Sequence, residues 1–138
     1  MQFAKFFIKL LYDAGVTHCV GIPGVQNSLF YSYLGDSGIV PILISNEKDA
    51  IGVALGINSK VGNFAILSLI GGPGITHALS DLYYTKNIPL LVITSNIKTN
   101  DCSNQIHAVS NKTLLQIASN NIFVFDDLSD FESIWNNM

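Results

Sequence analysis

The chain has 138 residues, of which 49% are hydrophobic and 12% charged, and its net charge is −3. The length suits one domain with a proper core, and 7 Lys plus Arg without a basic run exclude a nucleic-acid footprint. The charged fraction is about half of the usual roughly 25%, so uncharged polar residues or another copy or chain must cover much of the surface.

The N-terminal segment carries Phe3, Phe6, Phe7, Leu10 and Leu11 at helical spacing, with Lys5, Lys9 and Asp13 free to face outward and Gly15 as the stop. Those lysines, and the lack of a small-residue cleavage pattern before Asp13, make it a first helix rather than a signal peptide. Thr17 to Gly21 is a short β-prone run broken by Pro23 and Gly24, and Asn27 to Leu34 can form a second helix. Ile39 to Ile44 is another apolar run, followed by a helix over Glu47 to Lys60. Asn63 to Ile70 is the strongest strand. The glycines and Pro73 lead into a helix from about Ile75 to Tyr84, and Leu90 to Thr94 is a strand after Pro89. Thr99 to His107 reads as loop, Leu114 to Ala118 as helix, Ile122 to Phe125 as strand, and Asp130 onward as the start of a last helix. No strand follows it, so a C-terminal element is expected to be missing or supplied by another chain.

Helices and strands alternate, and the strands are almost continuously apolar, as in strands buried on both faces. The expectation is one α/β domain over 1–138, an open, mostly parallel, three-layer sheet with helices on both faces. Such sheets place ligands at the carboxyl ends of their strands. Pro23-Gly24, Asn46-Glu47, Gly71-Gly72-Pro73-Gly74 and Ser95-Asn96 all follow strands.

Glu47 is the sharpest chemical candidate. As an acidic residue in a first helical turn it serves the free N–H groups there. In a partly desolvated crevice it could also hold or share a proton with a nitrogen base. Gly71 to Gly74 permits close backbone approach, but GGPG matches neither the dinucleotide nor the P-loop fingerprint. His18, His77 and His107 lack metal spacing, so no metal ligands are expected in this chain. Asp126, Asp127 and Asp130 read as a solvated helix start. The serines lack a nucleophile-elbow context. Cys19 and Cys102 are far apart and look like free thiols of a reducing compartment, which places the chain in the cytoplasm. No run reaches the roughly 18 apolar residues of a membrane span.

The ordered set is more specific than any member. AGVTHCVGIPGVQNSLF, followed by ISNEKDAIGVALGINSKVGNFAILSLIGGPGITHALSDLYYTKNIPLLVITSN, resembles the N-terminal pyrimidine-binding domain of thiamine-diphosphate-dependent decarboxylases and acetolactate synthases over residues 2 to 125. The shared pattern is V-x-G-x-P-G, a Glu opening an Ala/Gly-rich helix, a strand ending in GPG, and an IP before an apolar strand. The run from Asn104 to Leu115 looks somewhat like phosphonopyruvate and sulfopyruvate decarboxylases, some of which split the pyrimidine and diphosphate domains into separate subunits.

The resemblance implies that Glu47 hydrogen-bonds the N1′ ring nitrogen of the cofactor's aminopyrimidine and promotes its imino tautomer. It implies that Pro23, Gly24 and Val25 approach the reacting end of thiamine diphosphate, and that Gly72, Pro73 and Gly74 shape the pyrimidine pocket. Gln26 and Asn27 could approach the substrate, a 2-oxo acid. Three departures stand out: Asn46 where many members have His, His77 where many have Asn, and no Gly-Asp-Gly for magnesium and diphosphate. Gly35-Asp36-Ser37-Gly38 comes too early to replace it. The resemblance therefore implies a subunit active only with a separate diphosphate-binding chain that holds Mg2+, and the composition implies at least a dimer. The alternative is a non-catalytic homo-oligomeric interaction or regulatory protein derived from such a domain.

Overall fold

The structure is a computed structural model and describes residues 2–94. The expectations for Asn96, the 99–107 loop with Cys102, Gln105 and His107, the helix at 114–118, the strand at 122–125 and the acidic cluster at 126–130 lie outside the described residues.

Helix α1 (Gln2–Asp13) leads to strand β1 (His18–Gly21). A 3-10 turn (Val25–Asn27) runs into α2 (Ser28–Leu34), followed by β2 (Val40–Leu43) and α3 (Glu47–Asn58). Strand β3 (Ala65–Leu69), helix α4 (Pro73–Tyr84) and β4 (Val92–Thr94) complete the described chain. The strands form one parallel sheet in the order β2-β1-β3-β4.

The two faces are built by alternation along the strands. Cys19 and Ile66 point to the layer of α1 and α2, where they pack with Phe7, Ile8, Leu11 and Leu34. Val20, Ala65, Leu67 and Leu69 point to the opposite layer, against Ala50, Ile51 and Ala54 of α3 and Ile75, Ala78 and Leu82 of α4. The alanines let these two helices sit close to the sheet. Thus three layers form, as the alternating pattern predicts.

Two expectations need correction. The buried stripe of α1 is Phe7, Ile8 and Leu11, while Phe3 is 37% exposed. The helix packs on α2 as well as on the sheet, which rotates the stripe by one residue. Strand β2 is not buried on both faces: Val40 and Leu43 are exposed. It has β1 as its only neighbour in the described sheet, and its Pro41 lacks an N–H for a further ladder. In contrast, every residue of β3 is buried.

The strand order locates the site. From β1 the chain crosses to β2 through α2 on one face. From β2 it jumps back over β1 to β3 through α3 on the other face, and continues to β4 through α4. Right-handed crossovers in opposite directions must use opposite faces. The carboxyl ends of β1 and β3 therefore flank a crevice where the chain departs in two directions, the place where open α/β sheets bind ligands.

Candidate functional site

Glu47 is the first residue of α3, directly after the loop that follows β2. The helix starts here because Asn46 is extended and caps it, its Oδ1 accepting from the Asp49 backbone N–H at 3.0 Å. The Asn46 amide nitrogen also donates to the Asp49 carboxylate. Both polar ends of Asn46 are thus committed to the cap, which leaves Glu47 as the acidic group turned toward the crevice.

The Glu47 side chain is only 12% exposed. Its Oε1 lies over the first turn of α4, where a Cβ on Gly74 would come within 3.1 Å of it. Its Oε2 is 3.0 Å from Nδ1 of His77, one turn further along α4. The same Gly74 position would meet Ile70 Cβ at 3.3 Å, and a Cβ on Gly24 would meet Ile70 Cδ1 at 2.7 Å. Ile70 therefore stands between the two glycine turns, and Gly24, Ile70, Gly74, Glu47 and His77 form one continuous run across the crevice.

The turn after β3 demands glycine. Gly72 has φ 71° and ψ −104°, a conformation that side chains resist. Pro73 follows as the first helical residue, where its missing N–H costs nothing. The Gly72 carbonyl accepts from the Thr76 N–H at 3.0 Å and from its hydroxyl at 3.1 Å, closing the first turn of α4.

The turn after β1 is held by Asn27. Its Oδ1 accepts from the Gly24 N–H at 2.6 Å, and its Nδ2 donates to the Ile22 carbonyl at 3.0 Å and to Ser68 Oγ on β3 at 3.5 Å. Asn27 is 8% exposed, and these bonds commit its side chain to the loop. Beside it, the Tyr31 hydroxyl is buried and, among the described residues, has no partner in hydrogen-bonding geometry, though it lies close to Gly21, Ser68 and Cys19. Burial pushes the Cys19 thiol up to about 12, against a smaller opposing influence of Tyr31. Burial, and secondarily the Cys19 charge, also raises Tyr31. Both groups stay neutral beneath the site.

The structure thus brings Gly24, Glu47 and Gly74 together. Pro23 is exposed in the β1 turn, Val25 is 91% exposed at the start of the 3-10 turn, and buried Gly72 with exposed Pro73 opens α4. Sequence reasoning did not pair His77 with Glu47. The signal available was spacing: His77 is three residues after Gly74, hence on the same helical face. It also missed Ile70 as the spacer and Asn27 as the staple, which carry no local motif. Among the described residues no group of three or more His, Cys, Asp or Glu could hold a metal ion, and no helix is long and apolar enough to cross a membrane.

With this geometry in place, comparison with known proteins identifies the class. Residues 1–119 match the family model of the thiamine pyrophosphate enzyme N-terminal TPP binding domain. The chain belongs to this family. It is 36% identical over 90 residues to the probable 2-ketoarginine decarboxylase AruI of Pseudomonas aeruginosa, covering 64% of this chain and 16% of that protein. It is 29% identical over 99 residues to the acetolactate synthase isozyme 3 large subunit of Escherichia coli, covering 70% of this chain and 17% of that protein. An X-ray structure of a Mycobacterium smegmatis protein superposes with a TM-score of 0.56 at 23% identity, covering 74% of this chain and 20% of that one, and shares the fold. The chain spans about a sixth to a fifth of the length of the curated relatives it matches.

The residues fit the aminopyrimidine half of that cofactor. A carboxylate with little exposure is the type of group that could share a proton with a ring nitrogen, glycine at 74 lets the α4 turn come close to it, and partly buried Ile70 lies between the two glycine turns.

Proposed function

We propose that this chain is the pyrimidine-binding part of a thiamine-diphosphate-dependent enzyme that decarboxylates a 2-oxo acid, and that a separate diphosphate-binding chain completes it with Mg2+. The observation that supports this most is the placement of Glu47: a carboxylate 12% exposed, on the first residue of α3 at the β1/β3 crevice, with the Gly74 turn packed against it. A carboxyl group in such a place shares a proton with a nitrogen base more strongly than it would in water. When bound, the cofactor supplies the electron sink for loss of CO2. Glu47 holds its ring nitrogen and the proton shared with it. Gly72, Pro73 and Gly74 bring backbone close to the ring, and the Pro23-Gly24-Val25 turn borders the reacting end.

Calorimetry tests this directly. Thiamine diphosphate with magnesium is titrated into the chain alone and into mixtures with candidate diphosphate-binding chains, with Glu47→Gln in parallel. The expected result is tight binding only in a mixture, with 2-oxo acid turnover falling about 100-fold or more in Glu47→Gln. Absence of binding and turnover in every mixture overturns the reading and leaves the homo-oligomeric regulatory alternative.

A further inference from the structure

His77 and Glu47 are very differently placed. The carboxylate is 12% exposed and the imidazole 70% exposed, yet they meet at 3.0 Å. An exposed His–Glu contact ordinarily contributes little to stability. Here the contact joins a covered acid to water. A covered carboxyl group needs a path to solvent whenever its net proton count changes, and a bound ring covers it further. Imidazole suits that task because it accepts at one nitrogen while donating from the other.

We propose that His77 is the proton relay between solvent and Glu47, an inference that rests on the role of Glu47 given above. In the charging direction Nε2 takes a proton from water and the Nδ1 proton passes to Glu47 Oε2, leaving a neutral imidazole with its proton on Nε2. In the discharging direction Oε2 returns a proton to Nδ1, and Nε2–H is released to water. No bond other than these N–H and O–H bonds changes. His77 touches Glu47, through which it acts, so it is a positioning and relay residue. Its outer edge opens to solvent: His77 lines an open groove with Lys48, Thr76 and Ser80, which is otherwise walled by Leu79 and the Tyr83 and Tyr84 side chains. The other charged neighbours along the two helices are Asp49, which Asn46 engages, and Asp81 one turn beyond His77.

Two readouts test the relay. In the cofactor-free chain, nitrogen-15 NMR of the histidine rings reports the tautomer. The wild type shows His77 with Nδ1 hydrogen-bonded, and Glu47→Ala removes that signature, whereas identical His77 spectra in the two proteins overturn the relay. In the complemented enzyme, His77→Ala retains cofactor affinity within about threefold and loses about tenfold or more in turnover, and added imidazole restores most of it. Glu47→Gln is not rescued. Full turnover by His77→Ala, or a loss that imidazole does not restore, overturns the relay while leaving the role of Glu47 intact. Full turnover by Glu47→Gln, or no cofactor binding in any mixture, overturns that role and the relay with it.

Discussion

Gly74 lies beneath the carboxylate of Glu47 so closely that a methyl group on its Cα would come within 3.1 Å of Oε1 and 3.3 Å of Ile70 Cβ. Two other glycines, Gly52 and Gly56, sit within α3, where such a methyl group would meet nothing within 4 Å beyond its own helix backbone and chain neighbours. Gly74→Ala is expected to cost about 1 to 2 kcal/mol through overpacking. Gly52→Ala is expected to stabilise by about 0.5 to 1 kcal/mol, because alanine restricts the unfolded chain and suits a helix. Urea denaturation followed by circular dichroism measures both, and opposite signs are the expected outcome.

The end of β1 is tighter still. A Cβ on Gly21 would fall 2.1 Å from the Ser68 carbonyl oxygen and 2.7 Å from the Tyr31 hydroxyl. The first is backbone of the paired strand β3 and cannot retreat without breaking the register Gly21↔Ser68. Gly21→Ala is expected to cost about 3 kcal/mol or more. Gly24→Ala, whose contact is the movable end of Ile70, should cost about 1 kcal/mol. Paired denaturation curves decide the order.

Asn27 ties the β1 turn to itself and to β3. Asn27→Ala leaves the Gly24 N–H and the Ile22 carbonyl without their side-chain partner. The expected loss is about 1 to 3 kcal/mol, together with faster hydrogen exchange at the Gly24 amide. Unchanged protection at Gly24 would show that another group holds the turn.

Cys19 makes the fold sensitive to alkali. Its folded value is raised by burial from 9.0 to about 12. The unfolded thiol releases its proton near 9 and the folded one does not, so the stability contribution is whole below pH 9 and declines as pH rises toward 12. At pH 10.5 the loss is about 2 kcal/mol. Tyr31, raised from 10.0 chiefly by burial, adds a loss of the same sign that starts about one unit higher. Denaturation midpoints of wild type and Cys19→Ala across pH 8 to 11 should therefore diverge between 9 and 10, the variant showing the flatter profile.

The order and type of the elements from residue 2 to 94 were legible in the sequence alone, as were Glu47 at a helix start and the glycine turn before α4. These are local properties: apolar spacing and glycine and proline breakers act over a few residues, so a short window contains their cause. The strand order, the exposed edge at β2 and the rotated stripe of α1 required the tertiary structure, because which face is covered depends on which element packs there. The same holds for the site. Glu47 meets His77 across 30 residues and Asn27 reaches Ser68 across 41. Neither pairing has a sequence signature, since each exists only because right-handed crossovers on opposite faces bring the ends of β1 and β3, and the first turns of α3 and α4, to one crevice.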